Sequence, residues 1–288
     1  MSSSELCNYP AIKAHLLLDL MVIRLEYPTP YHPEYQQIIA TVLFLREQGV
    51  TVQRKHGVEV SKPITTHPKA AITGATVPLL PEGRFTVSYG CIKKKCYAWF
   101  KFNPTKLGKA GMNFMATYIG HSMMEKGAST LLDRGLASHL EIAVDIDGVE
   151  FDDHCFLDPT LRSEQAFWLE GGTLYLGSKL RYLSIYDKRR ELKKKSGVDL
   201  GHPRLRIEHV ANDGRKYPCE GLEELSNPFS SLIVVRRQEL ISGPFDVHLS
   251  GLRGRIKAKS CSLPIAYYSL KPAERKIALV GLPTSPRS

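Results

Sequence analysis

Three segments in the second half of the chain alternate between apolar and polar residues, and this alternation constrains the fold more than any other feature. The segments are SHLEIAVDIDG (138–148), RYLSIYDK (181–188) and RLRIEHV (204–210). Successive side chains of a β-strand point to opposite faces, so each segment would bury one face and turn a polar face away from the core. We therefore predict three half-buried strands.

Other parts of the chain show strand-like or helical patterns. Short apolar runs bounded by turn residues predict further strands at 16–25, 85–91, 96–102 and 173–177, with short strands and loops in 50–84. The spacing of apolar residues predicts helices at 34–48 and 113–132. Residues 159–169 fit a helix or a loop, and 189–203 fit a charged linker. Together these elements predict an α+β fold with a central, mainly antiparallel sheet and helices packed on it.

The pattern changes after Asn227, where Pro and Gly interrupt short apolar runs. We expect a main domain over 1–225. Residues 226–288 are expected to form an irregular, β-containing C-terminal extension of that domain, or a small accessory domain.

The composition favours a polyanionic partner. The net charge is +10, from 39 Lys and Arg against 29 Asp and Glu, and Lys and Arg bind phosphate backbones by displacing their counterions. Two basic clusters are candidate DNA contacts, although a solvated hairpin tip or strand edge would carry the same residues. They are Lys93, Lys94 and Lys95 in a predicted turn, and Arg253, Arg255 and Lys257 near the C-terminus.

The cysteines and the N-terminal sequence bear on the compartment. The six cysteines contain no CxxC pair and are too sparse for a disulfide framework, so we expect reduced thiols and no zinc site. No basic region followed by an apolar run opens the chain, and the run LLLDLMVIRL is interrupted by Asp19 and Arg24. Neither a signal peptide nor a membrane span is expected, which makes the cytoplasm the expected location.

The first alternating strand carries three acids on one face: Glu141, Asp145 and Asp147. Like charges on one strand face repel and destabilise the sheet. A cation is therefore expected nearby, either a divalent metal or Lys and Arg side chains. An edge strand with a hydrated polar face is the alternative.

The other two alternating strands place a tyrosine, cations and a further acid on their polar faces. Tyr186 and Lys188 share one face, and Arg206 and Glu208 share another. A tyrosine has a pKa of about 10 and is a poor nucleophile unless a nearby ammonium or metal favours its phenolate. If the strands are neighbours, Glu141, Asp145 and Glu208 would supply oxygen ligands for Mg²⁺ or Mn²⁺ near Tyr186. Taken singly, these residues are more simply explained as a tyrosine lying across a sheet edge and a surface ion pair.

The order of the motifs resembles the replication initiators of filamentous phages and of related rolling-circle plasmids. The motifs are LMVIRL, AWFKFNPTKL, SHLEIAVDIDG, LYLGSKLRYLSIYDKRREL and RLRIEHV, over roughly 16–210. The resemblance implies a rolling-circle nuclease-like fold and a metal-dependent, site-specific single-strand DNA endonuclease. In that reaction a tyrosine attacks the origin phosphodiester, stays joined to the 5′ phosphate and frees a 3′ hydroxyl for priming.

The resemblance also assigns roles to residues of this chain. Tyr186 would be the nucleophile, Lys188 and Arg206 would stabilise charge on the phosphate, and acids of the polar faces would bind Mg²⁺ or Mn²⁺. The candidate metal ligands are Glu141, Asp145, Asp147 and Glu208. His139 and Glu141 stand where the family usually has Arg and Asp, which makes His139 a further candidate ligand.

The expected partners follow from the same resemblance. They are single-stranded or supercoiled origin DNA, a host helicase and a polymerase in a bacterial cytoplasm, with a homodimer as a further option.

Two alternatives to the function of a replication initiator stay open. One is a non-catalytic single-stranded nucleic-acid-binding protein that stacks bases on Tyr182, Tyr186 and Tyr217. The other is a plasmid-mobilisation relaxase with the same chemistry.

Overall fold

The structure is a computed structural model of the chain. It describes residues 14–47, 54–55, 58–59, 73–79, 83–92, 95–124, 126–161, 167–170, 172–178, 180–212, 217–219, 222, 227–242, 263–268 and 270–281. The chain divides into two compact units. Unit 1 comprises Met1–Leu17, Ala143–Val210 and Ser226–Ser288, and unit 2 comprises Leu18–Ile142 and Ala211–Leu225.

The strands and helices of the described residues have the following bounds. The strands are β1 (Ala14–Tyr27), β2 (Arg54–Lys55), β3 (Val58–Glu59), β4 (Thr73–Leu79), β5 (Gly83–Ile92), β6 (Lys95–Phe102), β7 (Leu136–Asp147), β8 (His154–Leu157), β9 (Phe167–Glu170), β10 (Thr173–Ser178), β11 (Arg181–Asp187), β12 (Arg204–Ala211), β13 (Tyr217–Pro218) and β14 (Ile233–Arg236). The helices are α1 (Pro33–Glu47), α2 (Pro104–Ser122), α3 (Ala128–Arg134), α4 (Lys188–Ser196), α5 (Arg237–Ser242), α6 (Leu263–Tyr268) and α7 (Pro272–Gly281).

Unit 2 is a sheet with helices on one face. Its strand order is β4-β5-β6-β1-β7, and β13 pairs with β7. The pairs β4·β5, β5·β6 and β1·β6 are antiparallel, with Arg24 opposite Trp99. Helices α1, α2 and α3 all contribute buried residues to one core on the sheet, among them Ile38, Ile119 and Leu131.

Unit 1 contains the C-terminal part of β7, followed across the sheet by β12, β11, β10 and β9. The pairs β9·β10 and β10·β11 are antiparallel, as is the separate pair β8·β14. Leu183, Ile185, Leu205 and Ile207 are buried in one core of this unit. The predicted α+β fold with a mainly antiparallel sheet is confirmed.

The helix predicted at 113–132 has different bounds in the structure. The helical region begins at Pro104, where Asn103 accepts a hydrogen bond from the Lys106 amide at 2.8 Å. Gly108, with a φ of 59°, breaks it by a kink before the part that was predicted. It ends at Ser122, and a separate helix, α3, begins at Ala128. Gly127, which has a φ of 61° and precedes α3, gives the chain the turn between the two helices.

The charged linker predicted at 189–203 is wrong over its first part, which is helix α4. Asp187 caps α4 by accepting from the Arg190 amide at 2.9 Å, and Gly197 ends it in the left-handed region at a φ of 73°. These caps satisfy backbone groups that a linker would leave to water.

Two stretches contain regular elements that differ from those predicted. Residues 159–169, predicted as a helix or loop, include the beginning of β9 at Phe167. The C-terminal region contains the expected strand β14, but also the helices α5, α6 and α7. Ser226–Ser288 is grouped in unit 1 together with Ala143–Val210.

The prediction of reduced thiols is wrong for two cysteines. Cys91 and Cys96 form a disulfide, because the β5·β6 register places them directly opposite each other beside the hairpin turn. The predicted strands 85–91 and 96–102, joined by a turn, already end at these two residues, but their thiols were expected to be reduced. Cys155 and Cys219 are free and buried, and burial raises the pKa of the Cys219 thiol to about 11.

In the described part of the chain, no helix has both the length and the apolar character needed to cross a membrane.

Candidate active site

Tyr186 lies on the polar face of β11, in unit 1. Leu183 and Ile185 point into the core, so the alternation turns Ser184 and Tyr186 to the other face. The neighbouring strand β12 does the same, since its Ile207 is in the core while Arg206 and Glu208 lie on the opposite face. The two polar faces therefore meet.

Glu208 connects the two strands by accepting hydrogen bonds on both carboxylate oxygens. The Tyr186 hydroxyl donates to Oε1 at 2.7 Å, and the Ser184 hydroxyl donates to Oε2 at 3.0 Å. The Glu208 side chain is 16% exposed. A carboxylate with so little water around it is held in place by these donors.

Arg206 joins Glu208 to Asp145 on β7. Its Nε and Nη2 donate to the two oxygens of Asp145 at 2.5 and 2.7 Å, and its Nη1 lies 3.4 Å from Oε1 of Glu208. The side chains of Arg206 and Asp145 are 8% and 7% exposed. We call the connected set Asp145, Ser184, Tyr186, Arg206 and Glu208 the tyrosine–carboxylate network.

The network keeps Tyr186 protonated. Burial of the phenol and the negative charge of Glu208 raise the pKa of Tyr186 far above its usual range, and Arg206 opposes this only in part. That a neighbouring ammonium or divalent metal favours the phenolate stays a prediction. What the arrangement offers instead is a proton acceptor, Glu208, on the phenolic oxygen.

Lys188 is close to Tyr186 but is bound elsewhere. Its Nζ lies 5.7 Å from the centre of the Tyr186 ring and donates to Oε2 of Glu191 at 2.5 Å. Burial disfavours the charge on Glu191, but hydrogen bonds from Lys188 and Lys195 outweigh it and lower the pKa of that carboxyl. Glu191 is a member of this site that the sequence did not reveal, because its segment was read as a linker.

The remaining candidate metal ligands are paired with basic side chains. Asp147 accepts from Arg204 at 2.6 Å and from His202 at 3.2 Å, and Arg204 in particular holds the pKa of Asp147 below its usual range. Glu141, which belongs to unit 2, accepts a hydrogen bond from His139 at 2.7 Å. Of the two cation types that the acidic strand was predicted to need, the structure places arginines against Asp145 and Asp147.

These residues do not form a metal-ligand set as they stand. Both oxygens of Asp145 are occupied by Arg206, and both oxygens of Glu208 accept hydrogen bonds. Within the described ranges, no three His, Cys, Asp or Glu side chains are grouped so as to hold a metal ion. A divalent cation would fit at Asp145 only if Arg206 moved away from it.

The predicted DNA contacts are mostly outside the described residues. This holds for Lys93, Lys94, Arg253, Arg255 and Lys257. Lys95 is described, is exposed and pairs with Glu26 in unit 2. The proposed stacking residues Tyr182 and Tyr217 belong to β11 and β13, in units 1 and 2 respectively.

Comparison with known proteins assigns no family to the chain: no protein-family model matches it, and no curated protein matches its sequence.

Proposed function

We propose that the chain is a DNA-nicking enzyme of the rolling-circle initiator type, with Tyr186 as the nucleophile. The proposal depends on one observation, the 2.7 Å hydrogen bond from the Tyr186 hydroxyl to Glu208. A phenol must lose its proton as it attacks phosphorus, and this contact provides the acceptor at hydrogen-bonding distance. The motif order over 16–210 supplies the reaction class.

In the proposed reaction Glu208 is the general base. The Tyr186 oxygen bonds to the scissile phosphorus while its proton passes to Glu208, and the bond from phosphorus to the 3′ oxygen breaks. The 3′ oxygen takes up a proton, from Glu208 or from water, and becomes the priming hydroxyl. The 5′ phosphate stays on Tyr186, so the bond energy is kept for rejoining.

In the proposed reaction Arg206 and Asp145 are positioning residues for Glu208. Arg206 is fixed by two hydrogen bonds to Asp145 and directs its third nitrogen toward Glu208. Its positive charge therefore lies next to the carboxylate that is proposed to accept the proton. Lys188, 5.7 Å from the Tyr186 ring, is the proposed cation for the incoming phosphate.

Dependence on Mg²⁺ or Mn²⁺ remains a prediction from the resemblance. A divalent cation would neutralise charge on the phosphate during attack. Adding each metal to the chelated protein, with nicking as the readout, tests that dependence.

The proposal is tested with single-stranded DNA that contains the replicon origin and carries a label on the side that keeps the 5′ phosphate. The parent protein should form a covalent protein–DNA species that resists denaturation, and Tyr186→Phe should form none. Tyr182→Phe is the matched control, because Tyr182 lies on the same strand and face, and it should form the species normally. An adduct formed by Tyr186→Phe would overturn the assignment.

A non-catalytic single-stranded nucleic-acid-binding protein is the second candidate. It is favoured by the raised pKa of Tyr186 and by the occupied oxygens of Asp145 and Glu208. Its signature is salt-sensitive binding without any adduct. A relaxase would share the proposed chemistry and would differ in nicking a transfer origin.

A further inference from the structure

Unit 2 presents a second polar sheet face, formed by β1, β5 and β6. Ile23 and Leu25 of β1 are buried with Phe100 of β6 in the core that α1, α2 and α3 cover. Because strand side chains alternate, the residues between them lie on the opposite face. We call Arg24, Tyr97, Trp99 and Lys101 on that face the aromatic face.

The two aromatic rings of this face are neighbours. The ring centres of Tyr97 and Trp99 are 5.7 Å apart at an angle of 37°, and both side chains are half-buried. Directly opposite them on β5 stand small residues, Gly90 and Ser88 respectively. Each ring therefore has a small residue, not a bulky one, as its cross-strand partner on β5.

Cations accompany the rings. The guanidinium carbon of Arg24 lies 4.9 Å from the centre of the Tyr97 ring, a cation–π distance. Lys101 is exposed two residues beyond Trp99. Rings interleaved with positive charge are the chemistry that binds single strands, since bases stack on the rings and phosphates meet the cations.

Arg24 gives an independent sign of a missing partner. Its Nε and Nη2 are buried and have no hydrogen-bond partner among the described residues. Buried donors without an acceptor are costly, and the phosphate or base oxygens of a bound strand would be acceptors.

We propose that the aromatic face binds single-stranded DNA, with bases stacked on Tyr97 and Trp99 and phosphates held by Arg24 and Lys101. The choice of DNA over RNA rests on the proposed function, whereas the stacking chemistry does not. The surface belongs to unit 2, and the tyrosine–carboxylate network belongs to unit 1. Binding and nicking can therefore be measured separately.

The test measures the affinity for a fluorescent oligodeoxythymidylate without origin sequence, in a Tyr186→Phe background that excludes nicking. Trp99→Leu should weaken binding by about 5- to 150-fold, which corresponds to one lost base stack. Trp99→Phe keeps an aromatic ring and should restore most of the affinity. Phe44→Leu is the control, because Phe44 is 57% exposed on α1, and it should bind like its parent.

Several outcomes would overturn the inference. They are unchanged binding by Trp99→Leu, an equal loss in Phe44→Leu, or no rescue by Trp99→Phe. If Trp99→Leu does not fold, Lys101→Glu takes its place and must weaken binding at low salt. Equal or tighter binding of oligouridylate would overturn the assignment to DNA. Normal oligodeoxythymidylate binding without any adduct from the Tyr186-containing protein would instead overturn the proposed function alone.

Discussion

The tyrosine–carboxylate network of unit 1 and the aromatic face of unit 2 are both polar faces of half-buried strands, but their side chains are paired very differently. In the network, Arg206 donates to both oxygens of Asp145, and Glu208 accepts from Tyr186 and Ser184. In the aromatic face, Arg24 has two buried nitrogens without a hydrogen-bond partner among the described residues. The same strand periodicity thus produces one satisfied face and one unsatisfied face.

This difference in hydrogen bonding suits the network to proton transfer and the aromatic face to ligand binding. A satisfied network holds its groups in one geometry, which proton transfer requires. A face with stacked rings and unsatisfied donors has more to gain from an added ligand. We therefore expect changes in the network to alter reaction rate and stability, and changes in the aromatic face to alter affinity.

The largest expected effect is on the rate of adduct formation in Glu208→Gln. This change keeps the shape but removes the proton acceptor, so the rate at neutral pH should fall by about 10²- to 10⁴-fold. It also removes the charge that raises the pKa of Tyr186, so the remaining rate should rise more steeply with pH than in the parent. A pH profile of adduct formation measures both effects. An unchanged rate would mean that Glu208 is not the base.

The next largest effect is on the free energy of unfolding, and it should differ between substitutions of Arg206 and Arg24. Arg206→Met leaves Asp145 buried and unpaired, and should lower the free energy of unfolding by about 3 to 5 kcal/mol. Arg24→Met removes Nε and Nη2, which have no hydrogen-bond partner among the described residues, and should change stability little or increase it. Urea unfolding of both variants measures the contrast. Equal losses would contradict the distinction between a satisfied and an unsatisfied face.

A smaller effect is expected on the free energy of unfolding at alkaline pH. The raised pKa of Tyr186 means that above pH about 10 the unfolded chain releases the phenolic proton while the folded chain keeps it. The contribution of this group is fully present below that pH and declines as the pH rises toward the folded pKa. Tyr186→Phe should therefore lose less stability than the parent between neutral and alkaline pH. Parallel losses in urea unfolding would show that Glu208 and burial do not hold the proton.

The smallest effect is on the affinity for oligodeoxythymidylate when the single surface charge of Lys101 is removed. Lys101→Ala should weaken oligodeoxythymidylate binding slightly and reduce the slope of log affinity against log salt by about 1, as for the loss of one phosphate contact. Affinity measured over a salt series tests this. A slope equal to the parent's would remove Lys101 from the aromatic face.

Strand alternation was enough to predict much of the fold and part of the site. It separated Tyr186 from Ile185 and Glu208 from Ile207, and the structure places the two polar residues in direct contact. The strand neighbours that create this contact depend on long-range pairing of β11 with β12, which local patterns do not encode.

The pairing partners could not be predicted, because they depend on side-chain reach across strands. The acids were expected to need a cation, and the sequence left open whether it is a metal or an arginine. The structure places Arg206 on Asp145 and Arg204 on Asp147.

The tyrosine–carboxylate network is tested most directly by identifying the residue that carries DNA. The covalent species formed on origin DNA would be digested with protease and nuclease, and the nucleotide-bearing peptide sequenced by mass spectrometry. We predict that the nucleotide phosphate is on Tyr186, and that no such peptide is recovered from Tyr186→Phe. A nucleotide on any other residue, or an intact nicking reaction without a linked tyrosine, would contradict the account.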